Sequence, residues 1–299
     1  MQKKRTIAGV IALGAAASLA LAGCSSDGGS ADGGDKGTVK LGYLPAWTDG
    51  LSTAYLLEDQ LGKMGYTVEM DELTEAGVLY AGLAGGDFDI YPSAWPEVTH
   101  ASYMEQYSSD IEDLGAYYDG AVLTMAVPDY VDIDSIEDLA GDAKRFDGQI
   151  IGIEPGAGLT KQTQEVAMPE YGLDSDYELV TSSTATMLAT LQDKIKSQED
   201  VVVTLWRPFW ANDAFPMKDL ADPKGAMGDP EALHFLAKQG FAEDMPEVAD
   251  YIAKIKLDDE AYGALEGLVT GDEYKNDPEG AVDAWLEEYG DAYPGLIAS

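Results

Sequence analysis

The sequence predicts an α/β protein of two lobes, with mostly parallel central sheets and a ligand cleft between the lobes. Three observations predict this fold class. The chain has 299 residues, which corresponds to two lobes at about 150 residues per domain. Short β-rich segments alternate with segments of helical periodicity, which is typical of βαβ units. The chain also completes one such block, enters a second and returns to the first, as hinged two-lobed proteins do.

The composition excludes several classes of protein. Hydrophobic residues make up 45% of the chain, enough for a large core, and the single cysteine excludes a disulfide scaffold. The two histidines leave little room for a histidine-rich metal centre. With a net charge of -37, the surface repels phosphate backbones, so we expect no nucleic acid partner. The acidic residues are spread along the chain, which favours a solvated coat suited to high salt over a dedicated cation site.

The first 23 residues are typical of a lipoprotein signal peptide. Residues 3–5 are basic, and an apolar run follows as far as Gly23. The run ends in a segment similar to a bacterial lipobox, in which Cys24 is the lipidated residue. The alternative is a single membrane-spanning anchor, since the run approaches the minimum length for a span. Residues 24–37 are rich in Gly, Ser and Asp and predict a flexible tether. We therefore expect a lipid anchor on the extracytoplasmic face of the cell membrane.

The first part of lobe 1 is predicted to comprise residues 38–127. Its strands are predicted at 39–44, 66–70, 88–91 and 120–128, and its helices at 52–64, 75–83 and 97–107. The first helix has Leu56, Leu57 and Leu61 on one side and ends at Gly65. The strand at 120–128 is apolar and long enough to cross between the lobes.

Lobe 2 is predicted at residues 128–216, and residues 217–299 are predicted to return to lobe 1. A capping box that begins at Ser135 opens a short helix in lobe 2. Strands are predicted at 149–153, 177–181 and 201–205, and helices at 159–168 and 184–197. Helices are predicted to dominate from Pro230 to the end of the chain, with a buried face at Leu233, Phe235 and Leu236.

Three of the five tryptophans follow predicted strands. Trp47, Trp95 and Trp206 all lie at or near the carboxyl ends of these strands, where parallel α/β sheets place their ligands. Each one alone is also explained as a core aromatic residue, and this is our interpretation of Trp210 and Trp285. Together the first three predict an aromatic box, which binds a quaternary ammonium group through cation–π contacts of about 1–2 kcal/mol each.

A glycine-rich segment follows the predicted strand at 149–153 and opens a helix. Free backbone amides at such a position point at an anion. The segment does not match a phosphate-binding P-loop, and the dinucleotide pattern GxGxxG fails at Lys161. An ordinary strand–helix turn is the alternative interpretation. Beside an aromatic box, these amides indicate an anion of carboxylate size.

Two further polar residues lie near the tryptophans in the sequence. His100 is either a hydrogen-bond donor to a ligand carboxylate or a surface histidine. For Arg207, beside Trp206, we favour an ion pair with one of the abundant acidic residues. The sequence contains no GxSxG, HExxH or CxxC motif. We therefore expect no catalysis, no cofactor and no metal site.

Four stretches carry a family resemblance: residues 42–47, 93–100, 152–159 and 203–210. In order and spacing they resemble the glycine betaine/proline betaine substrate-binding proteins of ABC transporters (OpuAC/ProX type), over most of residues 39–245. The resemblance implies a type II periplasmic-binding-protein fold that closes around its ligand. It also implies roles for six residues: a prism around trimethylammonium from Trp47, Trp95 and Trp206, and carboxylate contacts from His100, Gly158 and Leu159.

The resemblance implies that the protein passes a betaine to an ABC permease. Arg207 departs from the family pattern, because a small polar residue is expected there, and Tyr80 stands where relatives often have a bulky residue near the cleft. Two alternatives remain open. One keeps the fold and binds choline or carnitine, and the other, from a different class, is a surface-anchored hydrolase with paired carboxylates.

Overall fold

The computed structural model describes residues 36–293 and 295–297. The predicted signal peptide and Cys24 lie outside these residues, as does the predicted tether except for Lys36 and Gly37. Within the described ranges, no helix has the length and apolar character that crossing a membrane requires.

The described residues contain nine strands that form one sheet in two halves. The strands are β1 (Thr38–Tyr43), β2 (Thr67–Glu72), β3 (Ile90–Ala94), β4 (Ile111–Pro128), β5 (Gln149–Ile151), β6 (Glu178–Val180), β7 (Val203–Arg207), β8 (Met217–Asp219) and β9 (Glu231–Lys238). Their order is β2-β1-β3-β9-β4-β7-β5-β6, with β8 also paired to β4. We call β2, β1, β3, β9 and the start of β4 the first half, and the end of β4 with β7, β5, β6 and β8 the second half.

The strand β4 belongs to both halves. Its residues 111–121 pair with β9, and its residues 122–128 pair with β7 and β8. Only its end was predicted as a strand, because the charged and glycine-containing start lacks an apolar pattern. Register shifts around Gly115 interrupt the pairing of that start with β9, which hides the alternation expected of a regular strand.

The sheet is mixed, with parallel ladders at its two ends. The pairs β1–β2, β1–β3, β5–β6 and β5–β7 are parallel, as the βαβ pattern predicted. The pairs that involve β4 or β9 are antiparallel. The sheets are therefore less parallel than expected, because β4 and β9 connect the halves and run against their neighbours.

Helices lie at the five places predicted between residues 52 and 197. The helices of the described chain are α1 (Thr48–Lys63), α2 (Ala76–Gly85), α3 (Ala101–Tyr107), α4 (Gly158–Gln162), α5 (Met168–Glu170), α6 (Thr184–Ser197), α7 (Ala211–Ala214), α8 (Phe241–Asp244), α9 (Pro246–Ile252), α10 (Asp259–Thr270) and α11 (Pro278–Tyr289). However, α3 begins at Ala101 and not at residue 97, and α7 was not predicted. A π-helical turn at Thr163–Ala167 joins α4 to α5. The capping box at Ser135 is present and opens a 3₁₀ turn at Ile136–Leu139.

The prediction of helices from Pro230 onward is wrong for β9. This strand lies between β3 and β4, and its Leu233, Phe235 and Ala237 are buried. Leu236 is buried as well, so the predicted burial of Leu233, Phe235 and Leu236 is confirmed, although they lie on a strand and not on a helix. Because residues 235–237 are buried on both faces of the sheet, the alternation typical of a strand with one buried face is lost there. Helices do follow from Phe241.

Strand β8, at the start of the predicted return segment, belongs to the second half of the sheet. Strand β8 pairs with residues 126–128 of β4, and the Leu220 backbone N–H donates to the Met125 carbonyl. The segment after residue 217 thus stays beside the second half until β9 begins. We propose that the two halves correspond to the two lobes, with the return at Glu231.

Replacing Phe235 should reveal how much β9 contributes to the core. Its ring is buried and lies 4.5 Å from the ring of Tyr117, centroid to centroid. We expect Phe235→Ala to lower the free energy of unfolding by about 3–5 kcal/mol, measured by urea denaturation. As a control, Val78→Ala at an exposed position should change it by less than about 0.5 kcal/mol. Similar losses for both variants would contradict a central position for β9.

Candidate ligand-binding site

A cavity lies between the two halves, at the carboxyl ends of strands from both. It is lined by Trp47, Asp49, Trp95, Thr99, His100, Leu123, Ile153, Ala157, Gly158, Leu159 and Trp206. Its empty space, including the part open to solvent, is about 330 Å³. The structure therefore brings together all six residues that the sequence singled out, and their part in binding stays a prediction.

The three tryptophans reach the cavity because of where their strands end. Trp47 follows β1 and precedes α1 as its N-cap residue, Trp95 follows β3, and Trp206 is the penultimate residue of β7. Two of them thus belong to the first half and one to the second. All three are buried, so a cation among their rings would be desolvated, the condition in which cation–π contacts are strongest.

Polar contacts and stacking fix the orientation of these rings. The Trp95 indole Nε1–H donates to Asp49 Oδ2 (3.0 Å), and the Trp47 indole Nε1–H donates to Glu154 Oε2 (3.3 Å). The Trp206 ring stacks on Phe209, with 4.0 Å between the ring centroids. Hydrogen bonds at the edges of Trp47 and Trp95 and stacking of Trp206 thus hold the three rings in defined orientations, which lowers the entropy that binding of a small molecule would cost.

His100 is buried, so the alternative of a surface histidine is wrong. Its Nδ1 accepts a hydrogen bond of 3.1 Å from the Trp95 backbone N–H, which places the proton of the neutral ring on Nε2. Burial lowers the pKa of His100 to about 3. His100 therefore offers the cavity a neutral N–H donor at physiological pH.

The start of α4 supplies further donors. Gly158 and Leu159 are its first two residues, and the first backbone N–H groups of a helix have no partner within the helix. A side chain at Gly158 would collide with the Thr99 carbonyl oxygen, so only glycine permits this approach of the two halves. Together with His100, these amides form a donor group suited to a carboxylate.

Asp49 is a cavity residue that the sequence interpretation missed. It lies in the first turn of α1, and its Oδ2 also accepts a hydrogen bond from Ser93 Oγ (2.7 Å). Burial raises the pKa of Asp49. With 55 acidic residues in the chain, no single carboxylate stood out, and its position two residues after Trp47 was the available signal.

Arg207 and Tyr80 lie outside the cavity lining. Arg207 Nε donates to Asp219 Oδ2 at 2.6 Å, as the ion-pair interpretation predicted. Tyr80 is buried, stacks on Tyr103 at 4.8 Å and meets the His100 ring edge-on at 5.3 Å. Tyr80 therefore packs against the His100 ring without lining the cavity.

The two remaining tryptophans also lie outside the cavity lining. Trp285 is fully buried and donates through Nε1–H to the Ala261 carbonyl, as expected of a core residue. Trp210 is partly buried and packs beside Phe209. Among the described residues, no three His, Cys, Asp or Glu side chains are grouped so that they could hold a metal ion.

Another buried carboxylate near the cavity is Glu266 of α10. It accepts a hydrogen bond from the Thr48 hydroxyl. Burial, and to a lesser extent the nearby Asp49 carboxylate, raises the pKa of Glu266 to about 7. The folded chain therefore holds a proton here that the unfolded chain releases above its ordinary pKa of 4.5.

Glu266 should make stability depend on pH. Its contribution is fully present below about pH 4.5 and is lost as the pH rises through about 7. Glu266→Gln removes this dependence, so the variant should gain up to about 3 kcal/mol relative to wild type between about pH 4.5 and pH 8. Urea denaturation of both chains across this range measures the difference.

The exposed Glu178 provides a matched control for the pH experiment. Glu178→Gln removes the same group from the surface and should follow the wild-type pH profile. If the Glu266→Gln profile also runs parallel to wild type, Glu266 does not titrate in this range and the assignment is wrong.

Comparison with known proteins gives a consistent result. The sequence profile of the family described as the substrate binding domain of ABC-type glycine betaine transport system matches residues 37–288. The glycine betaine/carnitine transport binding protein of Listeria monocytogenes is 42% identical over 111 residues. That alignment covers 35% of this chain and spans 37% of the Listeria protein.

Two solved structures are similar over almost the whole described chain. The glycine/betaine/L-proline-binding protein of an ABC transporter from Borrelia burgdorferi is 31% identical, with a TM-score of 0.79 over 88% of this chain and 97% of that one. Lactococcal OpuAC, in a closed-liganded conformation with glycine betaine, is 28% identical, with a TM-score of 0.79 over 88% of this chain and 100% of that one. These similarities confirm the type II periplasmic-binding-protein fold.

Proposed function

Since the chain belongs to the family of substrate-binding domains of ABC-type glycine betaine transport systems, we propose that it captures glycine betaine or a similar quaternary-ammonium osmoprotectant in its tryptophan-lined cavity. It then delivers the ligand to the permease of an ABC importer. The family is one of transport proteins.

The observation that carries the proposal is a cavity with two chemically different groups of residues. Trp47, Trp95 and Trp206 line it together with Asp49. A quaternary ammonium group donates no hydrogen bonds, so aromatic faces and a nearby negative charge are the means available to hold it. The buried Asp49 carboxylate, bonded to the Trp95 indole, reinforces the attraction of these rings for a cation.

The second group of residues accounts for the rest of a betaine molecule. The Nε2–H of His100 and the amides of Gly158 and Leu159 are neutral donors on the cavity wall. A carboxylate receives hydrogen bonds from such donors without a paired cation. Lactococcal OpuAC is complexed with glycine betaine, and its similarity to this chain supports the same ligand here.

Choline and carnitine remain the alternative ligands for the same fold. Choline has no carboxylate, so it leaves the donors of His100 and Gly158 without an ionic partner. Carnitine keeps the carboxylate but separates it further from the ammonium group. The name of the Listeria relative includes carnitine, which makes carnitine the second candidate.

A surface-anchored hydrolase is the alternative from a different class. Such an enzyme would convert its ligand, and the formation of product would reveal it.

Calorimetric titration of residues 25–299 with glycine betaine, proline betaine, carnitine and choline tests the proposal. We expect saturable binding of glycine betaine at one site. Trp206→Ala should weaken the affinity for all quaternary ammonium ligands about five- to thirtyfold, because about 1–2 kcal/mol of cation–π energy is lost. His100→Ala should weaken the affinity for glycine betaine about tenfold or more relative to the affinity for choline, since a hydrogen bond to a charged group is removed.

The ratio of the affinities of one variant for two ligands separates these effects from a general loss of structure, which would weaken the binding of both ligands equally. Trp285→Phe alters a core tryptophan outside the cavity and should leave the affinity for glycine betaine unchanged. If His100→Ala lost affinity for glycine betaine and for choline by the same factor, this would contradict the contact between His100 and the carboxylate. Absence of binding by the wild-type chain to all four ligands would overturn the betaine proposal.

We also propose that Cys24 carries a lipid that tethers the protein to the outer face of the cell membrane. The proposal is supported by the basic, apolar and small-residue pattern before Cys24. In a bacterial host fed a labelled fatty acid, the wild-type chain should incorporate the label and sediment with membranes. Cys24→Ala should do neither, because the thiol that forms the thioether is missing. Label in this variant would contradict the assignment.

A further inference from the structure

We propose that Glu154 is a positioning residue that holds the closed cleft through the indole of Trp47 and thereby slows release of the ligand. The inference rests on the proposed function and adds to it a residue outside the cavity lining. It follows from a side-chain hydrogen bond that crosses from one half of the sheet to the other.

Glu154 is fixed within the second half. It follows β5, is buried, and accepts two hydrogen bonds from Thr184, the first residue of α6. The Thr184 backbone N–H donates to Oε1 (2.8 Å) and the Thr184 hydroxyl donates to Oε2 (2.9 Å). A carboxylate at the start of a 14-residue helix is also favoured by the helix dipole. The carboxylate is therefore held in one orientation.

The third partner of Glu154 lies in the first half. The Trp47 Nε1–H donates to Oε2 at 3.3 Å, and Trp47 belongs to the β1–α1 connection. This hydrogen bond can form only when the two halves approach each other. Because both side chains are buried, an indole N–H that lost this acceptor without gaining water would be left unsatisfied.

The position of this hydrogen bond suits control of ligand release. Trp47 lines the ligand cavity, whereas Glu154 lines a neighbouring groove together with residues 44–46 and 72–75 of the first half and residues 155, 182 and 183 of the second half. The bonded pair thus stands between the cavity and the groove. A ligand leaving on this side requires Trp47 to move, and the bond to Glu154 opposes that movement.

Another contact between the halves lies near by and is independent of Glu154. The Tyr103 hydroxyl donates to the Gly156 carbonyl at 2.8 Å. Loss of the Trp47–Glu154 hydrogen bond should therefore leave the cleft able to close but make its closed form shorter-lived. The effect is expected on the dissociation rate, while the association rate changes little.

A double-mutant cycle with Glu154→Gln and Trp47→Phe tests the inference. The Thr184 backbone N–H needs an acceptor at the Oε1 position, so the single oxygen of glutamine is expected there and its amide nitrogen, which cannot accept, faces the indole. Phenylalanine keeps an aromatic face without the N–H. Stopped-flow displacement of glycine betaine gives the dissociation rate of each chain. We expect Glu154→Gln to raise this rate about tenfold in the wild-type background and less than about twofold in the Trp47→Phe background.

The outcomes separate a positioning role from a structural one. If Glu154→Gln raises the dissociation rate by the same factor in both backgrounds, Glu154 acts only on the start of α6, and the inference is overturned. Glu178→Gln, an exposed residue of the same half, should not change the rate. If Glu154→Gln does not fold, Glu154→Asp replaces it, since the shorter carboxylate withdraws from Trp47. Absence of ligand binding by the wild-type chain overturns the proposed function and this inference together, whereas binding with additive effects overturns the inference alone.

Discussion

The candidate site depends on the strand that the two halves of the sheet share. Because β4 pairs with β9 in its first part and with β7 and β8 in its last part, each half is built on the same continuous backbone. The strands that end at the cavity, β1 and β3 on one side and β7 and β5 on the other, are placed relative to β4. Any change in the course of β4 would therefore separate residues that line the cavity.

Buried carboxylates fix two of the tryptophan rings, one within the first half and one across the two halves. Asp49 and Glu154 each accept an indole N–H, so the polar edge of each ring is satisfied without water. This arrangement places carboxyl oxygens close to a site proposed for a cation, while the donors at His100 and the start of α4 are neutral N–H groups. The cavity is thus electrostatically asymmetric, as a zwitterionic betaine requires.

The chain order of helices and strands could be predicted over most of the protein because their apolar periodicities are regular. The helix at 184–197 and the strands near residues 40, 68 and 150 lie where the pattern placed them. Strand β9 and the start of β4 were missed for a shared reason. They pair with each other through a ladder with register shifts, so their burial depends on a distant partner more than on local alternation.

The sequence by itself determined which residues are chemically suited to the site. Tryptophans at the ends of strands, a glycine-rich helix start and a histidine near Trp95 are local patterns that need no tertiary information. Only the tertiary structure decided that these segments, up to 159 residues apart between Trp47 and Trp206, converge on one cavity. It also decided which two of the many carboxylates hold the indoles, because the Trp95–Asp49 hydrogen bond requires the packing of α1 against the end of β3, and the Trp47–Glu154 hydrogen bond requires the two halves to come together.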